Sequence, residues 1–305
     1  MHNQPSRPTA ATHALLRFIT KNCPQDELLR EYPENNSPQL NMPELHDRML
    51  ATSPEQKVLY ALQQTGSRLV GDRLLASYLA DCLHITEGLG SIHKLLLASE
   101  GEKLGADPER IKSLLAQADD NLRWAAEMKA ENYHRTNVLA FLSLWAAHEA
   151  GSENVIAAIL STVQPAAALA VGKFALGKYS MVKWPWSEEQ CLEVAQKLDQ
   201  KAKEKTVDGG WDAAARLTTQ YHWLGATITV PLQASAKFNE ASMVRNVLVH
   251  RYGRLGLHDI ARAPHLAEYR DTAVQLTQAR LGEYYQAVID VHLAIMSGVT
   301  ATGWK

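Results

Sequence analysis

From Ser53-Pro54 onward, apolar residues recur at spacings of three and four along nearly the whole chain, the period of helices that bury one face. The pattern predicts helices over about 54–80, 82–99, 108–131, 135–161, 187–205, 211–228, 232–255 and 265–297, with boundaries set by caps and breakers. Pro54 follows Ser53, and Asp107-Pro108 repeats the arrangement of a capping side chain before proline at the first helical position. Ser187 with Gln190 three residues on has the form of a capping box. Strand signals are sparse. No Asn-Gly or Asp-Gly turn lies between alternating apolar runs, and Asp208-Gly209 is followed by a helical pattern.

The pattern therefore predicts an all-α protein, a helical bundle with an N-terminal helical extension. Residues 1–53, which include the polar, turn-rich "EYPENNSPQLNMPELHD", read as a partly irregular arm. Residues 54–105 read as the helical extension and 106–305 as the bundle, with a boundary near "GEKLGADPER". No repeat at solenoid periods interrupts this order.

Composition narrows the class. With 46 % hydrophobic and 21 % charged residues the chain matches ordinary folded domains. The most apolar windows, "NVLAFLSLWAAHEAGSENVIAAIL" and "PAAALAVGKFALGKYSM", are interrupted by His148, Glu149, Glu153, Lys173 and Lys178. They read as core helices rather than membrane spans. The start of the chain shows no secretory pattern, and Cys23, Cys82 and Cys191 form no paired motif. Both features lead to the expectation of a cytoplasmic protein without a disulfide framework. A net charge of −2 gives no global pull on polyanions, so such a partner must meet a local patch.

Most familiar chemistries leave no trace. There is no HExxH, no phosphate-binding glycine loop and no serine elbow. Glu131/His134 supplies one Glu-x-x-His pair and Asp81/His84 a lesser one. A di-metal bundle needs two such helices, so no metal or other cofactor is expected.

The segment "ASMVRNVLVHRYGRLG" is different. At about 100° per residue, Val244, Leu248 and Leu255 fall roughly 260–300° from Arg245, with Ala241 and Tyr252 beside them, which makes a core stripe. Asn246 and His250 fall at about 100° and 140°, on the far side, and Phe238 and Val249 fall at about 20° and 40°, between that side and the stripe. Apolar residues among Arg, Asn and His imply a covered face, with a second subunit or a ligand as the cover. Between 245 and 262 the chain carries Arg245, Arg251, Arg254 and Arg262 against one acid, Asp259, a local net of +3. Arginine grips phosphate with two donors and histidine moves protons near neutral pH. Together they suit RNA phosphodiester cleavage, in which the neighbouring 2′-OH is the nucleophile.

"RNVLVH" resembles the R-x4–6-H signature of the HEPN superfamily, helical domains whose active members are metal-independent endoribonucleases. Asn246 occupies the second position, where that family carries Asn, Asp or His. "RNVLVHRY" is further similar to the R-x4-H-x-Y form of HEPN toxins paired with a minimal nucleotidyltransferase, in which the tyrosine is adenylylated. Tyr252 takes that place. Comparable Arg/His spacing recurs at Arg7/His13, Arg216/His222 and Arg251/His258, but only 245/250 joins Asn246, Tyr252 and a helix preceding the final long one. The resemblance covers about residues 108–297, and residues 1–105 share none of it.

The resemblance implies a homodimer with two motifs facing each other, cutting RNA to 2′,3′-cyclic phosphate and 5′-OH ends in toxin–antitoxin, phage-defence or stress response. Arg245, Asn246 and His250 would be catalytic, with Tyr252 as modification site and an antitoxin or nucleotidyltransferase as further partner. Arg251, Arg254 and Arg262 would line the RNA path, and Glu149 would be the supporting polar residue on an upstream helix. The alternatives are a non-catalytic HEPN-like module that binds RNA, a nucleotide or a protein, and a structural bundle in which the motif is a solvated face.

Overall fold

The computed structural model describes residues 54–100, 107–174, 179–206 and 212–303, and these are helical almost throughout. The helices are α1 (Pro54–Glu100), α2 (Pro108–Ala130), α3 (His134–Thr162), α4 (Gln164–Lys173), α5 (Glu188–Thr206), α6 (Ala213–Trp223), α7 (Leu232–Arg251), α8 (Leu257–Arg262) and α9 (Gln278–Thr302), with 3₁₀ turns at Met181–Lys183 and Pro264–Tyr269. Among the described residues there is no strand, only an isolated antiparallel bridge between Arg254 and Ala273. The protein is an all-α helical bundle, as the periodicity predicts. The expected irregular arm at 1–53 and the expected boundary around 101–106 lie outside the described residues.

Local chemistry explains most element ends. Asp107 accepts the Arg110 amide and caps α2, while Ser187 and Gln190 exchange both bonds of the capping box at α5. Four boundaries depart from the sequence reading, one of them the end of the predicted 232–255 helix, which carries the candidate site. The predicted 54–80 and 82–99 helices are one 47-residue helix, because nothing at Asp81 breaks the backbone and its side chain is simply exposed. The predicted 211–228 helix ends at Trp223, where Gly225 takes a left-handed φ of 88° and the Ala226 amide closes on the Tyr221 carbonyl. The predicted 265–297 helix begins only at Gln278. Thr277 caps it by accepting the Arg280 amide, and Pro264 starts a 3₁₀ turn upstream.

The chain folds as two compact units. One comprises the described part of Met1–Val70 with Leu144–Asn246 and Tyr284–Lys305, and the other Gly71–Ser143 with Val247–Glu283. In the first, Leu62, Leu69, Ile156, Ile159, Leu160, Leu198, Tyr221, Val244, Tyr284 and Tyr285 are fully buried. Tyr284 donates to the carboxylate of Glu240 at 2.8 Å, and Lys237 pairs with the same buried acid. The loop between α6 and α7 approaches α9 closely here: a methyl group on Gly298 of α9 would lie 2.5 Å from the Thr227 carbonyl oxygen and 2.5 Å from Ile228 Cδ1.

In the second unit, Asn137 of α3 donates to the Leu276 carbonyl and accepts from Gln278, while His134 Nδ1 accepts the Leu276 amide. These bonds fix the approach to α9. Of the Glu131/His134 pair, Glu131 is ion-paired with Arg135 and His134 Nδ1 accepts a backbone amide.

The Gly298 contact makes a prediction against helix propensity. Alanine normally stabilises a helix interior relative to glycine by about 1 kcal/mol, but here a backbone carbonyl must move. Gly298→Ala should lower unfolding stability by about 1–3 kcal/mol, measured by urea denaturation. A raised midpoint would contradict the close approach.

Candidate functional site

Helix α7 carries the motif. Along its length Ala241, Met243, Val244 and Val247 are buried and Leu248 is half-buried, which anchors one face. Phe238, predicted to share the covered polar face, is indeed covered, but by the chain itself. Its ring stacks on Trp145 at 5.1 Å and meets His148 edge-on at 5.0 Å. Phe238 therefore does not call for a second subunit.

The helix stops at Arg251, short of the predicted 255. Tyr252 and Gly253 take φ of 52° and 81°, and the Gly253 amide closes on the Val247 carbonyl. Only the Gly253 half of this turn suits its residue; Tyr252 sits in a region that disfavours L side chains by about 1–2 kcal/mol. The predicted place of Tyr252 beside the core stripe is thus corrected. The 100° step ends before it, and its ring is 92 % exposed. A tyrosine that contributes nothing to packing occupies a strained position, a combination that recurs at functional sites.

Arg245 is held from two sides. Nη1 donates to Asn246 Oδ1 and Nη2 to Glu149 Oε2, each at 3.0 Å. Three residues singled out in the sequence, Arg245, Asn246 and Glu149, are thereby brought together. His250 is not among them. It lies one turn beyond Asn246, exposed, and five residues from Arg245 is about 140° around the helix. Arg251 is committed to Asp259 at 2.8 Å, and Asp259 also accepts the Gly256 amide, so this arginine ties the end of α7 to the start of α8. Arg254 and Arg262 are exposed.

Beside the Arg245–Glu149 pair lies a cavity of about 290 Å³. Its walls include Lys203, Arg216 and Arg245 against Glu149, Glu153 and Asp199, with Trp145, His148 and Phe238 as the aromatic side. Asp199 organises one wall: it accepts from Gln220 at 2.8 Å, pairs with Lys203 at 2.7 Å and lies 3.4 Å from Arg216 Nε. His148, 3 % exposed, has no hydrogen-bond partner for Nδ1 among the described residues. Burial pushes its pKa down to about 3, with His292 and Arg216 adding repulsion. It is neutral at physiological pH.

His148, Lys203 and Arg216 were not singled out as site residues. Their convergence on Arg245 comes from four different helices, and the available signal was a His-Glu step in the middle of an apolar helix. Among the described residues no cluster of three or more His, Cys, Asp or Glu is arranged to hold a metal ion.

Two buried neutral histidines give the unit an acid limit. Burial lowers the pKa of His292 to about 4, partly offset by its bond to the Leu62 carbonyl. In the unfolded chain both protonate near about 6.5. The unfolded state therefore binds more protons below that pH, and stability present above it falls as pH drops toward 4, by about 1.4 kcal/mol per pH unit for each histidine. Urea midpoints between pH 7 and 4.5 should fall less steeply for His148→Gln than for the parent. Parallel slopes would contradict a neutral buried His148.

No family model, curated protein or solved structure matches this chain.

Proposed function

We propose that this protein is a metal-independent endoribonuclease of HEPN type, acting as a homodimer on RNA in the cytoplasm, in a toxin–antitoxin or phage-defence setting. The supporting observation is the division of labour on α7. Arg245 is fixed by Glu149 and Asn246, while His250 on the next turn is exposed. Arg245 holds the scissile phosphate and offsets the charge that builds on the phosphorane. His250 takes the 2′-OH proton or delivers one to the leaving oxygen. The 2′-oxygen attacks phosphorus, the bond to the 5′-oxygen breaks, and the ends are a 2′,3′-cyclic phosphate and a 5′-OH. Asn246 orients the guanidinium, and Glu149 is a positioning residue that acts through Arg245.

The separation of Arg245 and His250 around one helix is the reason for a dimer. A phosphate gripped by Arg245 of one copy is served by His250 of the other when the two α7 helices face each other. Val249 and Tyr252, close to His250 in sequence and exposed, supply apolar surface for such a meeting. Tyr252, fully accessible, suits modification by a nucleotidyltransferase partner. Arg254 and Arg262 flank the RNA path; Arg251 serves the fold first.

Among the described residues no single helix is long and apolar enough to cross a membrane; α3 and α4 pass that test only as a pair bent by 105°.

One observation favours a second reading. Arg245 already has two partners at rest and the cavity beside it holds as many carboxylates as cations. A module that binds RNA, a nucleotide or a protein without cleaving has the same appearance. Incubation of purified protein with total RNA in EDTA separates the two. Cleavage to cyclic-phosphate ends, reduced at least 100-fold by Arg245→Ala and by His250→Ala, is the expected result. Cleavage that survives both substitutions, or binding without any cleavage, overturns the nuclease reading.

A further inference from the structure

Among the described residues, helix α1 leaves one of its faces exposed. Its sides divide by angle: taking Leu75 as zero, Asp72, Leu83, Gly90 and Lys94 fall at about 60–100°. That side is packed, with Leu83 against Ala125 and Met128, Gly90 against Leu122, Lys94 paired with Asp119 and Asp72 accepting from Ser143. The adjacent sector, roughly 260° to 40°, holds Leu74, Leu75, Tyr78, Leu79, Cys82 and Ile85. Every one of these six is exposed, the five large ones by 45–65 %.

Their order is not that of a scattered surface. Leu75, Tyr78, Cys82 and Ile85 alternate steps of three and four, the a and d positions of a heptad, and in sequence the register continues through Leu89, Ile92 and Leu96. Leu74 and Leu79 flank the seam at g and e, where a two-stranded coiled coil would carry charge.

We propose that this seam is a helix-pairing surface on which a second copy of the chain docks, α1 against α1. Three features fit a second copy. A heptad seam fits a helix of the same pitch and repeat, which this chain itself provides. The six residues of the stripe carry no charge, so a copy laid on it brings no like-charge repulsion. The exposed patch is on the order of 500 Å², at the top of what monomers leave open and most of the roughly 800 Å² per partner of a stable interface. The pairing does not rest on the nuclease reading, and its residues belong to α1 rather than α7.

The test uses the full chain with Cys23→Ser, so that Cys82 is the remaining exposed cysteine among those described. A bis-maleimide long enough to span two helical turns should trap a covalent dimer, and Cys82→Ser should abolish it. In light scattering across a dilution series, Leu75→Glu with Ile85→Glu should weaken self-association at least tenfold while circular dichroism stays unchanged, because both side chains lie on the surface. A monomeric parent, an unchanged dissociation midpoint in the double variant, or a dimer that Cys82 does not crosslink overturns the proposal. RNA cleavage is read separately, so loss of either property identifies which reading has failed.

Discussion

The 100° step of an α-helix governs the candidate site. On α7 it sends Arg245 toward Glu149 and the cavity, keeps Asn246 beside it as acceptor, and turns His250 away to solvent. The buried Val244 and Val247 mark the face of the helix that turns inward. A planar guanidinium fixed by two acceptors is oriented in advance for a two-point ligand such as phosphate. The exposed imidazole can meet only something that arrives from outside. Arg245 is engaged by Glu149 and Asn246, and His250 is exposed about 140° further round the helix.

The second organising feature is burial of neutral histidine. His148 and His292 sit inside a helical unit with little polar compensation, and desolvation keeps both uncharged. His148 forms one wall of the cavity together with Arg216 and Arg245. An anion entering there would favour its protonation, so occupancy of the cavity and the charge of His148 are thermodynamically linked.

Much of this was legible in the chain. The helical class followed from periodicity, and the caps at Asp107 and Ser187 from residue type. The resemblance named Arg245, Asn246 and Glu149 separately, and the bonds between them came from the fold. The remainder needed three-dimensional packing. Periodicity alone extends α7 through Tyr252, whereas the left-handed turn at Tyr252-Gly253 ends it and reverses the environment of that tyrosine. Phe238 looked like a residue awaiting a partner because helical arithmetic cannot see Trp145 and His148 arriving from α3. The segment before α9 carried enough apolar spacing to pass for helix, and backbone bonds to His134 and Asn137 decide otherwise.

The most direct test of a site shared between two copies is complementation in mixed dimers. Protomers carrying Arg245→Ala and His250→Ala are each expected to be inactive alone, yet a refolded mixture contains heterodimers that retain one intact pairing of Arg245 from one chain with His250 from the other. RNA cleavage recovering in the mixture to about a quarter of the parental rate is the predicted result. A mixture as inactive as its two parents, with heterodimers shown to be present, would contradict the shared site.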